Sequence, residues 1–168
     1  MHVATRRRLR VAIAAMLFAA MACAASASDD CRVQVRKRTL IGPKPLVTRL
    51  HAMAVRGSPS FERYAFNHEE FRYLGQVRLA SGKRWHVVFV STVSGISCRG
   101  TQRLFVFRRD MTYLGSYSHV DGYQPKVVRD AIVYDDVDPE YGNRIRFGER
   151  GPPKEILIDG EPHGFYRE

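Results

Sequence analysis

The chain reads as an all-β domain with one short helix near 46–56, an antiparallel meander forming a small sandwich or partly open barrel, and one disulfide. Three observations predict this. Short apolar-alternating runs are separated by Gly-, Asp- and Asn-bearing turns. Trp85 to Val90 is apolar on both alternations, as in a central strand covered on both sides. Two cysteines, Cys31 and Cys98, remain after an export signal is removed, and an even count in an exported chain reads as a disulfide.

The export reading rests on residues 1–27. Arg6, Arg7, Arg8 and Arg10 form a positive leader, Val11 to Ala22 an apolar core, and Ala25-Ser26-Ala27 a small-x-small cleavage site. The apolar run is shorter than the ~20 residues that span a bilayer, so no transmembrane segment is expected in the mature chain. Cys23 as a lipidated residue is a competing reading, but Ala20-Met21-Ala22 before it lacks the Leu usual in bacterial lipoprotein signals. The expected location is the periplasm or the medium. Residues 28–168 are left as a single β-rich domain, long enough to bury a core. A Cys31–Cys98 bridge would be worth ~4 kcal/mol in the chain-entropy treatment.

In chain order, Arg32 to Arg36 alternates as a short strand. Gly42-Pro43-Lys44-Pro45 reads as a loop. Leu46, Leu50, Met53 and Ala54 give the one helical spacing, stopped by Gly57 and Pro59, although the segment also alternates as a strand. Phe61 to Phe66 and Phe71 to Leu79 read as strands around an Asn67-His68-Glu69-Glu70 turn, with Phe71, Tyr73, Gly75, Val77 and Leu79 on one face. A three-residue Ala80-Ser81-Gly82 loop puts Val77 opposite Trp85 and Gly75 opposite Val87, joining apolar faces; a two-residue loop would mismatch them.

Ser91 to Gly100 reads as a loop. Leu104 to Arg108 and Thr112 to Ser118 form the next hairpin, turning at Arg109-Asp110-Met111. Strands follow at Lys126 to Arg129 or Ala131 to Tyr134, and at Arg144 to Phe147. Glu155 to Ile158 and Glu161 to Tyr166 close the chain around Asp159-Gly160, the pair a type I′ turn prefers, with Pro162 marking an edge. Tyr73-Leu74-Gly75 recurs as Tyr113-Leu114-Gly115. The pattern does not recur a third time, so two similar hairpins in one meander account for it better than a propeller does.

Charge is uneven. The signal carries four of the 27 Lys+Arg and no acid, so the mature net charge falls from +10 to +6. Residues 28–110 hold 16 basic and 6 acidic residues, and 111–168 hold 7 and 11. The basic half suits an anionic partner; equally, the two halves could attract each other within one fold.

Asp136, Asp138 and Glu140 occupy alternate positions as in a calcium loop, but Tyr141 and Phe147 stand where that loop needs Gly and a bidentate carboxylate. They are kept only as a weak calcium candidate, the competing reading being a solvated turn. No pair among His51, His68, His86, His119 and His163 has zinc-ligand spacing. Thr92 replaces the first Gly of a serine-nucleophile elbow, and no Gly-rich phosphate cradle is visible, so no cofactor is expected.

There remains a basic, aromatic set: Arg72, Arg78, Arg84, Trp85, Arg99, Arg103, Arg108 and Arg109, with Lys83 among them. Guanidinium forks beside aromatic anchors suit a binding surface, although β-proteins also line outer faces with arginine. The expected function is non-catalytic binding of inhibitor or immunity type. The partner would be an acidic protein or an anionic envelope polymer rather than nucleic acid. The alternative is an envelope hydrolase using a His with a C-terminal Asp. His86 or His119 beside a carboxylate in a cleft would favour it.

Overall fold

The computed structural model describes residues 37–59, 61, 66–94, 99–118 and 123–167. The signal segment, Cys23, Cys31, the 32–36 strand, Cys98, His119 and the side chain of Arg99 lie outside the described residues, and with them the expected disulfide and export signal.

Among the described residues the chain is mostly β, with one α-helix. A seven-stranded sheet has the order β1 (Lys37–Ile41), β2 (Phe66–Arg78), β3 (Arg84–Ser94), β4 (Arg99–Phe107), β5 (Tyr113–Ser118), β10 (Glu161–Tyr166), β9 (Glu155–Ile158). A three-stranded sheet has the order β6 (Pro125–Val128), β7 (Ala131–Tyr134), β8 (Arg144–Arg146). Neither sheet closes into a barrel. The helix α1 (Lys44–Gly57) links β1 to β2. Because that link is a helical crossover, β1 pairs parallel with β2, and the sheet is mixed where a wholly antiparallel meander was expected.

The centre of the large sheet explains the layering. Val87 and Phe89 of β3, with Leu104 and Val106 of β4, face the small sheet and share a core with Ile132, Tyr134 and Ile145. Val88 and Val90, with Phe105 and Phe107, face α1 and pack with Val47, Leu50, Ala54 and Phe61. A strand pair apolar on both faces is stable only if both are covered, each buried large side chain contributing about 1.5–3 kcal/mol. The helix covers one face and the small sheet the other. The predicted hairpin register holds, with Val77 opposite Trp85, Gly75 opposite Val87, and Gly82 at positive φ.

Other expectations are corrected. Phe71, Tyr73, Gly75, Val77 and Leu79 do not share a face. A bulge between Tyr73 and Gly75 reverses the alternation, so Phe71 and Tyr73 meet the α1 layer while Val77 and Leu79 meet the small sheet. The same device recurs at Tyr113-Leu114-Gly115, where the register shifts opposite Val106 and Phe107. Each step therefore sends its Tyr to the helix side and its Leu to the other core. Gly75 and Gly115 hold φ of 133° and 143°, which L-residues rarely adopt.

Asn67 to Glu70 is not a turn: β2 begins at Phe66 and runs through it. Of the expected Phe61 to Phe66 strand, Phe61 belongs to a turn off α1, its N–H donating to the Ser58 carbonyl, Phe66 opens β2, and residues 62–65 lie outside the described residues. Pro45 lies in the first turn of α1, where its missing N–H has no helical acceptor to lose. The buried stripe of α1 is Val47, Leu50, His51 and Ala54, rotated from the predicted Leu46, Leu50, Met53 and Ala54. β3 and β4 extend into the predicted 91–100 loop, to Ser94 and from Arg99. Both β6 and β7 form where one of the two was expected. Of the last hairpin it is β9 that lies at the sheet edge; Pro162 sits in β10, on a stretch paired with β9 and lying before the Phe165 and Tyr166 contacts to β5.

A Cβ at Gly115 would collide with the Tyr166 carbonyl, whereas one at Gly75 would make an ordinary 3.5 Å contact with Val127. Both Ala substitutions force a side chain into positive φ, costing about 1–3 kcal/mol. Gly115→Ala is expected to lower the urea midpoint more than Gly75→Ala; equal losses would contradict a role for the collision.

Candidate functional site

The β2–β3 and β4–β5 loops meet at one end of the large sheet because His86 pairs with Phe107, which sets the two tips side by side. The small sheet brings its β6–β7 turn and the segment after β8 to the same end. Trp85 fixes this junction: its ring lies edge-on to Phe147, 6.1 Å between centroids, and packs against Gly151, where a side chain would collide with it.

These segments enclose an open groove of about 1240 Å³, lined by Gln76, Leu79, Gly82, Lys83, Arg84, Trp85, Arg108, Arg109, Asp110, Glu149 and Arg150. A second hollow of about 640 Å³ adds Arg78, Arg129 and Arg146. A third, of about 600 Å³, adds Arg144. Together the linings hold nine cations (Arg78, Lys83, Arg84, Arg108, Arg109, Arg129, Arg144, Arg146, Arg150) and three carboxylates (Asp110, Asp130, Glu149). All nine cations are exposed. Among the described residues no ion pair engages Lys83, Arg84, Arg109 or Arg150. Asp110 accepts from the Thr112 N–H at 3.0 Å, and this bond, with Arg108 nearby, holds its carboxyl below the usual range. One sign of charge concentrated in a cleft raises the local concentration of anions.

The predicted set is thus divided. Arg84, Trp85, Arg108 and Arg109 share the main groove, and Arg78 joins through the second hollow. Arg72 does not: it pairs with Glu70 at 2.7 Å and donates to Gln124 at 2.9 Å. Arg103 lies mid-strand in β4, opposite Val90 and Ser118. Sequence reasoning missed Arg129, Arg144, Arg146 and Arg150 because they belong to the acidic half of the chain. The Arg144-Ile145-Arg146 alternation, pointing two arginines outward, was the available signal. Nor do the halves simply face each other. Basic residues of the second half join the basic end, while Asp135, Asp136, Asp138 and Glu140 lie in the β7–β8 connection at the opposite end of the small sheet.

Asp138 there caps a short 3₁₀ turn over Pro139–Tyr141, accepting from the Glu140 N–H at 2.9 Å. Among the described residues no group of three or more His, Cys, Asp or Glu is arranged to hold a metal ion. No described helix is long and apolar enough to cross a membrane.

Two buried polar clusters lie in the large sheet, one beside the groove and one further along β2. His86, on the α1 side of β3, lies 3.1 Å from the Tyr73 hydroxyl and 3.5 Å from the Gln76 amide. Burial pushes its pKa down, only partly offset by a bond to the Arg109 backbone. A neutral ring offers one donor and one acceptor nitrogen, Nδ1 toward the Tyr73 hydroxyl and Nε2 toward the Gln76 amide. The second cluster was not foreseen. Glu69, read as part of a turn, is buried on β2 and accepts from His51 at 2.7 Å and from Arg38 at 3.0 Å. It joins α1, β1 and β2. Burial alone would raise its pKa, but His51 and Arg38 outweigh it and the net shift is downward. His51 is packed edge-on to Phe61 and Phe71, so this pair is closed off in the core.

No protein-family model, curated protein or solved structure matches the chain.

The two clusters predict acid sensitivity in two windows. His86 takes up a proton less readily folded than unfolded, so stability declines as pH falls below its ordinary 6.5. Glu69, depressed in the fold, contributes stability above its ordinary 4.5 that is lost as pH falls through the lower folded value. Glu69→Gln is expected to cost about 1.5–3 kcal/mol at neutral pH, the range for hydrogen bonds to charged groups, with the difference shrinking in acid. Denaturant midpoints from pH 7 to 3 check this; a deficit independent of pH would contradict it.

Proposed function

We propose that this is an exported, disulfide-bonded β-domain that acts by binding: an inhibitor- or immunity-type protein whose basic groove around Trp85 receives a negatively charged partner. The observation that carries the reading is the convergence of Lys83, Arg84, Arg109 and Arg150, from three separate segments of the chain, without carboxylate partners among the described residues. Charges left unpaired inside a fold that pairs Arg38 and Arg72 are available to a ligand. Guanidinium forks match carboxylates bidentately, and a half-buried tryptophan between them supplies apolar contact area. Exposed pairs of this kind are worth about 0.2–1 kcal/mol each, so affinity must come from several acting together. The hydrolase alternative draws no support from His86, whose ring meets Tyr73 and Gln76, or from His51, enclosed with Glu69.

Capture from envelope extract tests this with a built-in control. Arg84→Glu with Arg109→Glu should abolish recovery of a stoichiometric partner, while Arg103→Glu, away from the groove, should retain it. Capture that survives the double reversal, or is lost equally with Arg103→Glu, would falsify the assignment.

A further inference from the structure

Resting on that reading, we propose that the groove takes an extended acidic polypeptide segment of about six or more residues, laid across the ends of both sheets, rather than a compact anion. Continuity is the first argument. The Trp85 groove shares Gln76, Leu79 and Arg84 with the second hollow, which shares Arg129, Asp130 and Arg146 with the third. The path therefore runs from the β4–β5 tip across β3 and β2 to the small sheet. Two strand spacings of ~4.8 Å and one sheet-to-sheet step of ~10 Å make about 20 Å, or ~6 residues of extended chain at ~3.3 Å each.

Size and chemistry agree. Enclosed small-molecule sites run to roughly 300–1,000 Å³. The main groove, at about 1240 Å³, is larger and open, so a small anion would reach only a few of its cations. Eight of the nine lining cations are arginine, whose planar fork suits carboxylates. Bases bind through open aromatic faces on which they stack. Trp85 is the only tryptophan, and its ring, half-buried, already packs on Phe147 and Gly151 in the groove lining. Asp110, Glu149 and Asp130 interrupt the positive path and would repel a uniformly acidic strand at those points. They select segments whose acidic residues are spaced.

The test titrates fluorescein-labelled oligoglutamates of two, four and eight residues into the mature chain, read by anisotropy, with Trp85 emission reporting groove occupancy. The octamer is expected to bind at least about tenfold more tightly than the dimer and to shift Trp85 emission. Arg144→Ala with Arg146→Ala should weaken the octamer several-fold and leave the dimer unchanged. Arg84→Ala with Arg109→Ala should weaken every length. All four arginines are exposed, so unchanged circular dichroism and melting should confirm that the variants are folded. Equal binding of dimer and octamer, or an octamer indifferent to Arg144→Ala with Arg146→Ala, overturns the extended segment and leaves the basic-groove reading intact. Binding of alginate or heparin without oligoglutamate overturns the polypeptide assignment alone. If none of the three binds, both readings fall.

Discussion

The structure depends on one constraint: β3 and β4 are apolar on both faces. Val87, Phe89, Leu104 and Val106 on one side, and Val88, Val90, Phe105 and Phe107 on the other, are all withdrawn from water. Neither a helix nor a second sheet alone can achieve that, so the chain supplies both. The Tyr-Leu-Gly steps in β2 and β5 flank this pair and serve the same end. Each bulge turns its Tyr toward α1 and its Leu toward the small sheet. Gly42 and Gly57, just before and at the end of the helix, rest against Tyr73 and Tyr113 respectively. The repeat is thus the junction between layers and not the unit of a repeat architecture.

The groove arises from that layering. Covering β3 and β4 with the small sheet brings the β6–β7 turn and the Phe147–Gly151 segment to the end where the β2–β3 and β4–β5 loops already meet. Trp85 packs on Phe147 and Gly151 at this junction, so its structural and binding roles share one side chain. The cations around it are surface residues with no core to fill. Pairing through Glu69, by contrast, holds Arg38 and His51 to the framework. Charge in this protein is therefore sorted by location: paired where elements are joined, unpaired at the open end.

The β2–β3, β4–β5 and β9–β10 hairpins were legible because they depend on neighbours in sequence. The Ala80-Ser81-Gly82 loop could be decided by which register joined apolar faces, and Asp159-Gly160 by turn chemistry alone. Glu69 misled for a physical reason. A buried carboxylate looks like a turn residue until its partners are known, and His51 and Arg38 lie 18 and 31 positions away. The α1 stripe shifted for the same cause, since turning His51 inward to Glu69 exposes Leu46 and Met53 in part. Of the basic set, the members on the β2–β3 and β4–β5 tips were found together. Arg72 and Arg103 fall outside the groove because proximity in sequence does not say which end of a strand a residue occupies.

By itself the sequence determined the mostly β character, the helix near 46–56, the central double-faced strand and the hairpin partners, all of which depend on local alternation and turn residues. Only the tertiary structure decided that β1 runs parallel, that the two Tyr-Leu-Gly steps reverse their strands, and that arginines of the acidic half complete a basic groove. These depend on contacts between residues far apart in the chain, where neither periodicity nor composition carries information about which surfaces meet.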